Sequence, residues 1–127
     1  MLTKSEKQIM ALLWRSEESL TTVDILRLCE NKTFKDSYIN ILIRSLLKKD
    51  MIKVDGVELI GRSYARKFTT NITREEYIYK LLVEDSFWNV DEMPPLFAKF
   101  VQTKADMKIL DDFSSIISER KEELKGE

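Results

Sequence analysis

Residues 34–49, Phe34-Lys-Asp-Ser-Tyr-Ile-Asn-Ile-Leu-Ile-Arg-Ser-Leu-Leu-Lys-Lys49, decide the fold. Ile39, Leu42, Ile43, Leu46 and Leu47 recur at the three- and four-residue spacing of one helix face. Ser37, Tyr38, Asn40, Ile41, Arg44 and Lys48 occupy the other face. The first face packs and the second is free to read a partner. Directly downstream, residues 50–70 alternate in polarity, include Gly56 and Gly61, and carry a basic cluster of Arg62, Arg66 and Lys67. That pattern predicts a two-stranded ribbon with positive charge at or near its tip. A helix followed by a basic hairpin is the outline of a winged helix-turn-helix, which points to a duplex as the partner and away from a small-molecule substrate.

The flanking sequence completes that outline. Upstream, Thr3 and Glu6 have the spacing of a capping box, and Ile9, Met10, Leu13 and Trp14 then form an apolar stripe, which predicts a first helix over about Lys4–Arg15. Thr21 with Asp24 offers a second capping pair before Ile25, Leu26, Leu28 and Cys29, so a short second helix is expected to end near Glu30. Asp36 is the best candidate to cap the third helix. The ribbon is drawn with Met51–Val54 in one strand and Ser63–Thr69 in the other, its tip falling between Gly56 and Arg62, because Asp55-Gly56 and Gly61 are both hairpin signals.

From Arg74 onward three helices are expected. They cover about Arg74–Phe87, a second starting near Pro94 or Pro95, and about Ala105–Leu124, the first introduced by a Thr73/Glu76 capping pair. The aromatics Phe87, Trp88, Phe97, Phe100 and Phe113 crowd into 55 residues, too few for an efficient core of their own. A second copy of the chain is the natural cover, through Ile78, Leu82, Phe87, Trp88, Phe97, Phe100, Ile109, Phe113, Ile116 and Ile117. The expected organisation is mainly α with a small β component: a winged helix-turn-helix domain over 1–72 and a three-helix, homodimerising domain over 73–127.

Charge supports that division. Residues 1–72 hold 13 basic and 9 acidic side chains, whereas residues 73–127 hold 8 and 13, so a chain of net charge −1 conceals a basic half and an acidic half. The absence of histidine removes the commonest general base and metal ligand, and the single Cys29 rules out an internal disulfide or a thiolate cluster. No glycine-rich phosphate loop or metal spacing is present, so the chain reads as a non-enzyme without cofactor or metal. No apolar run approaches the roughly 20 residues of a membrane span, and the polar opening Met1–Glu6 lacks a signal segment, so no membrane insertion and a cytoplasmic location are expected.

Several stretches together resemble the penicillinase-repressor family, the BlaI/MecI/CopY group of bacterial transcriptional repressors. They are the opening Leu2-Thr-Lys-Ser-Glu-Lys-Gln-Ile-Met-Ala-Leu-Leu-Trp14, the helix Tyr38–Asp50, the turn Gly61-Arg-Ser-Tyr64 and Thr73-Arg-Glu-Glu-Tyr77. The resemblance implies a homodimer on palindromic operator DNA, repression of an antibiotic-resistance operon of β-lactamase type or a related one, and release through a membrane-bound sensor protease. Two departures matter. The third helix opens with Lys35-Asp36-Ser37-Tyr38 where relatives usually have Ser-Pro-Lys-Thr, and the dipeptide corresponding to the Asn-Phe cleavage bond is Lys99-Phe100. The C-terminal cysteine cluster of the copper-responsive members is missing.

On a duplex, Asn40 can pair with adenine, Arg44 can reach guanine or phosphate, and Ile41 can meet a thymine methyl. Arg62, Arg66 and Lys67 would grip the backbone or the adjacent minor groove, with Lys35, Lys48 and Lys49 neutralising phosphates nearby. The competing reading is a winged-helix protein-interaction module or antirepressor without intrinsic DNA binding, which Tyr38, Ile41 and the unfamiliar start of the third helix favour.

Overall fold

The computed structural model describes residues 1–84 and 89–127, so Phe87 and Trp88, expected at the dimer contact, lie outside the described residues. The chain forms two compact units, Met1–Leu81 and Leu82–Glu127.

In the first unit, helix α1 spans Lys4–Arg15 as expected, and the Thr3/Glu6 capping box forms in both directions. Helix α2 spans Thr22–Leu28 under a complete Thr21/Asp24 box, ending at Leu28 rather than near Glu30. A short 3-10 turn, Asp36–Tyr38, leads into α3, Ile39–Lys48. Asp36 does not cap α3: its carboxylate pairs with Lys32 at 2.9 Å, and the segment has no side-chain cap. A cation four residues upstream competes successfully for that carboxylate.

Strands β1, Ile52–Ile60, and β2, Ser63–Thr70, form the antiparallel ribbon, longer in β1 than Met51–Val54. Ile60 pairs with Ser63, so the tip is the two-residue turn Gly61-Arg62. Gly61 has φ +63°, as the first residue of a type II′ turn requires. Asp55-Gly56, the other hairpin signal, is instead a bulge. Val54 faces Phe68 and Val57 faces Arg66, so one extra residue is accommodated in β1, with Gly56 at φ +89°. The Ser19 hydroxyl donates to the Asp55 carboxylate at this bulge. Leu20 exchanges backbone hydrogen bonds with Phe68, 2.9 and 2.8 Å, adding a one-residue third rung to the ribbon.

The buried core lies within residues 2–68: Leu2, Ile9, Met10, Leu12, Leu13, Leu20, Ile25, Cys29, Ile39, Ile43, Leu46, Met51, Ile52 and Phe68. The apolar face of α3 supplies Ile39, Ile43 and Leu46, with Leu42 and Leu47 packed partly buried beside them. Trp14 donates its indole N–H to the Ile72 carbonyl at 2.8 Å, fastening the end of α1 to the exit of the ribbon. Helix α4, Arg74–Val83, follows, and the Thr73 hydroxyl accepts from the Glu76 amide at 3.0 Å.

In the second unit a 3-10 turn, Val90–Glu92, runs into α5, Met93–Lys104, with prolines in its first turn. Helix α6 spans Met107–Lys125, not Ala105–Leu124: Ala105 is extended, and the Asp106 carboxylate caps α6 by accepting from the Ile109 amide at 2.9 Å. Phe113 meets Phe97 and Phe100, ring centroids 5.1 and 6.1 Å away. Neither α5 nor α6 buries a single residue. No helix among the described residues is long and apolar enough to cross a membrane.

One charged group sits inside the first unit. Glu6 is 1% exposed, yet its carboxylate receives the Lys49 ammonium at 2.7 Å, the Ser45 hydroxyl at 2.8 Å and the Thr3 amide at 2.9 Å. Burial alone pushes this carboxyl up. The Lys49, Thr3 and Ser45 hydrogen bonds outweigh it and hold the pKa down at about 2, against 4.5 ordinarily. A folded-state pKa below the unfolded one gives stability that is complete above pH 4.5 and lost as pH falls through about 2, worth roughly 3 kcal/mol. Glu6→Gln is therefore expected to lower the unfolding free energy by about 2 to 3 kcal/mol at pH 7 in urea titrations. The gap between the two proteins should narrow steadily below pH 4.5; a gap of constant size across that range would assign Glu6 a purely steric role.

Candidate nucleic-acid interface

Helix α3 is held at both of its margins. Its apolar face is locked into the core, and its C-terminal turn closes through two bonds: Asp50 N–H donates to Leu47 O at 3.1 Å and Met51 N–H to Leu46 O at 3.0 Å. These are the paired bonds of a Schellman motif, with Asp50 in the left-handed region at φ +57° and Met51 buried behind it. Aspartate tolerates that conformation better than most residues, though less well than glycine, so no glycine marks the end of this helix. The Glu6–Ser45 and Glu6–Lys49 bonds fix the helix against α1.

With α3 so fixed, Ser37, Tyr38, Asn40, Ile41, Arg44 and Lys48 all lie exposed. Among the described residues none of these side chains is tied up in an intramolecular hydrogen bond or ion pair. Asn40, Ile41, Arg44 and Lys48 fall within about 100° of arc around the helix axis. Tyr38 is 51% exposed and Ile41 55%, so two large side chains stand out from a helix whose opposite face is sealed. The surface combines an amide, a guanidinium, an ammonium, hydroxyls and an aliphatic group, the set that reads base edges and phosphates in a major groove.

Lys49 does not belong with them, although it adjoins Lys48. Its ammonium is spent on Glu6 and on the Met1 carbonyl at 3.0 Å, so it neutralises no phosphate. Thr21 is likewise consumed: it is fully buried, and its hydroxyl accepts from the Asp24 amide at 3.2 Å. The Thr21 amide, which donates to the Asp24 carboxylate at 3.1 Å, holds the Asp24 carboxyl below its ordinary value against the effect of burial, helped by the Thr21 hydroxyl and the Arg27 guanidinium.

The ribbon separates the three cations that are close in sequence. Residues paired across an antiparallel ribbon share a face, and alternate residues share it along a strand. One face therefore carries Val54, Val57, Leu59, Tyr64, Arg66 and Phe68, and the other carries Glu58, Ile60, Ser63, Ala65 and Lys67. Arg66 and Lys67 point apart, and Arg62 occupies the tip. The Arg66 guanidinium lies over the Phe68 ring, 5.3 Å from its centroid. Beyond it Val57, Leu59 and Tyr64 are exposed, an apolar strip that arises because the tip at Gly61-Arg62 sets Leu59 opposite Tyr64 and Val57 opposite Arg66.

The residues expected at a dimer contact are distributed as follows. Ile78, Leu82, Phe97, Phe100, Ile116 and Ile117 are exposed, and Ile109 and Phe113 are half-buried. Lys99 and Phe100 sit in the interior of α5, where the Thr103 hydroxyl donates to the Lys99 carbonyl at 2.7 Å. Cys29 is buried and free, its thiol pushed up by that burial.

The family model described as Penicillinase repressor matches residues 2–119. No curated protein matches the chain. Solved structures similar to it include the adhesin competence repressor AdcR from Streptococcus pyogenes, at 21% identity over 97% of this chain and 82% of that one, TM-score 0.45. Bacillus subtilis PadR in complex with operator DNA is 19% identical over 95% of this chain and 71% of that one, TM-score 0.47. Staphylococcus aureus MarR in complex with salicylate and kanamycin is 13% identical over 99% and 75%, TM-score 0.43.

The ribbon tip offers a local test of this geometry. A Cβ at Gly61 meets no atom within 4 Å, so Gly61→Ala introduces backbone strain without a clash. The expected cost is about 1 kcal/mol, borne by the hairpin. Amide hydrogen exchange should accelerate in β1 and β2 near the turn while α1 to α3 keep their protection.

Proposed function

This chain belongs to the penicillinase repressor family, and from that premise we propose that it is a homodimeric repressor that seats α3 in the major groove of palindromic operator DNA. Its family consists of transcriptional regulators, not enzymes. The observation that carries the reading is the outer face of α3, where Asn40, Ile41 and Arg44 stand exposed and unengaged on a helix immobilised from behind. Asn40 pairs with adenine, Ile41 meets a thymine methyl, Arg44 takes guanine or phosphate, and Ser37, Tyr38 and Lys48 border the footprint. Arg62 at the tip reaches the neighbouring backbone or minor groove, with Arg66 and Lys67 approaching from either side of the ribbon.

The dimer reading rests on the second unit, which buries none of its described residues while leaving Phe97, Phe100, Ile116 and Ile117 open to solvent. An isologous contact between two copies would cover these groups and set the two α3 helices roughly 34 to 36 Å apart, one turn of duplex, or a multiple of it. Family membership supports repression of a resistance operon, by occlusion of its promoter. Release by a membrane-bound sensor protease would cut at Lys99–Phe100, and α5 would have to unwind there, since a helical peptide bond is closed to a protease cleft. The charge complement and the family both suit a cytoplasmic protein.

A second reading, in which the ribbon engages protein, is favoured by its exposed Val57, Leu59 and Tyr64. Anisotropy titrations of promoter fragments bearing inverted repeats, at two salt concentrations, separate the readings: operator binding should weaken steeply with salt. Arg44→Ala should cost about 1 to 3 kcal/mol on the matched sequence and little on scrambled DNA. An undiminished preference for the matched sequence would remove Arg44 from the reading set. Sedimentation should show a dimer at micromolar concentration, and a monomer there would sink the assembly proposed.

A further inference from the structure

A cleft of about 300 Å³ opens in the first unit where the end of α1, the end of β2 and the first turn of α4 converge, lined by Trp14, Arg15, Thr70, Thr73, Arg74 and Glu75. We propose that this cleft binds the oxyanion of a small organic acid or phosphate ester. Its volume lies at the lower end of the range for small-ligand pockets. Arg15 and Arg74 bring two guanidiniums to it, and among the described residues neither is paired with a carboxylate.

Arg74 is more than a loose surface cation. Its guanidinium lies over the Trp14 ring, 5.5 Å from the centroid, which holds a planar fork in place. Trp14 is itself immobilised by its 2.8 Å bond to the Ile72 carbonyl and by the Tyr77 ring, centroid to centroid 5.7 Å. The wall behind the fork is therefore rigid, and the ordering cost of gripping a planar anion has already been met in folding.

The lining residues also carry hydrogen-bond donors. Helix α4 is ten residues long, and its first-turn amides at Arg74 and Glu75 have no intrahelical acceptor. The Thr73 oxygen already accepts from the Glu76 amide, which leaves its hydroxyl hydrogen free to donate, and Thr70 adds a second hydroxyl. Glu75 is the one acid in the lining, so the pocket keeps a single net positive charge and suits a monoanion, with Glu75 available to accept from a donor elsewhere on the ligand. An anion clasped by Arg15 and Arg74 joins α1 directly to α4.

The test uses the full chain carrying Trp88→Phe, which leaves Trp14 as the only indole. Emission excited at 295 nm is followed while benzoate, phenyl phosphate or inorganic phosphate is added at constant ionic strength, with chloride as the control. A saturable change with at least one oxyanion and none with chloride is expected. Calorimetry on Arg15→Gln, which leaves the Arg74–Trp14 stack intact, should show affinity lowered about tenfold or more, and Glu75→Gln should tighten binding. No saturation with any of the three anions, a chloride response of equal size, or unchanged affinity in Arg15→Gln would overturn the proposal. So would a flatter salt dependence of duplex binding in Arg15→Gln, which would assign these arginines to a DNA backbone contact.

Discussion

The carboxylate of Glu6 is the interaction on which the geometry of the first unit depends. It closes the capping box at the start of α1, and with its other contacts it receives a hydroxyl and an ammonium from the last turns of α3. A buried ion pair of this kind contributes less net stability than its short distances suggest, because both charges were taken from water. What it supplies is direction. An apolar contact between α1 and α3 would tolerate sliding, whereas three directional bonds on one carboxylate permit one arrangement. The face that carries Asn40, Ile41 and Arg44 is thereby aimed outward at a fixed angle.

The two units meet the problem of burying apolar surface in different ways. Residues 2–68 assemble fourteen buried hydrophobic side chains around Phe68, Ile9 and Leu46, drawn from three helices and the ribbon. Helices α5 and α6 pack Phe97 and Phe100 on Phe113 and leave Val101, Ile109 and Leu110 only half-buried. The ion pairs along α6, Lys108–Asp112, Arg120–Glu123 and Lys125–Glu122, are exposed and add little. A reading surface needs a rigid platform, and the first unit is built as one. The second presents its aromatic and aliphatic groups outward, which suits a segment whose folding energy comes from association.

What could be read in the sequence followed from the range of the signals. The ends of α1 and the start of α2 were legible because a capping box is complete within four residues, and the reading face of α3 because helical period alone sorts Ile43 from Arg44. The ribbon was legible as a ribbon, but its tip was not. Asp55-Gly56 and Gly61-Arg62 have equivalent turn chemistry, and the choice between them is made by the register that places Phe68 opposite Leu20, nearly fifty residues away. Lys49 gave no hint of its role for the same reason, since its partner is 43 residues distant. Asp36 has the chemistry of a cap, but Lys32, four residues upstream, takes its carboxylate. The cations of the ribbon look like a cluster in sequence, but Arg66 and Lys67 are consecutive on β2, so the alternation of a strand sends them to opposite faces.

That bulge carries one more implication. A single inserted residue in β1 lets Val54 stay opposite Phe68 while the pairs set by the tip keep Val57 and Leu59 beside Arg66 and Tyr64, and Glu58 beside Ala65. Loss of one codon at position 55 or 56 would shorten β1 by one residue and restore strict alternation, with every cross-strand pair on either side of it kept. A gain or loss of one residue at this point is thus absorbed where it occurs, and the outer half of the wing keeps its pairing while the scaffold beneath keeps Phe68.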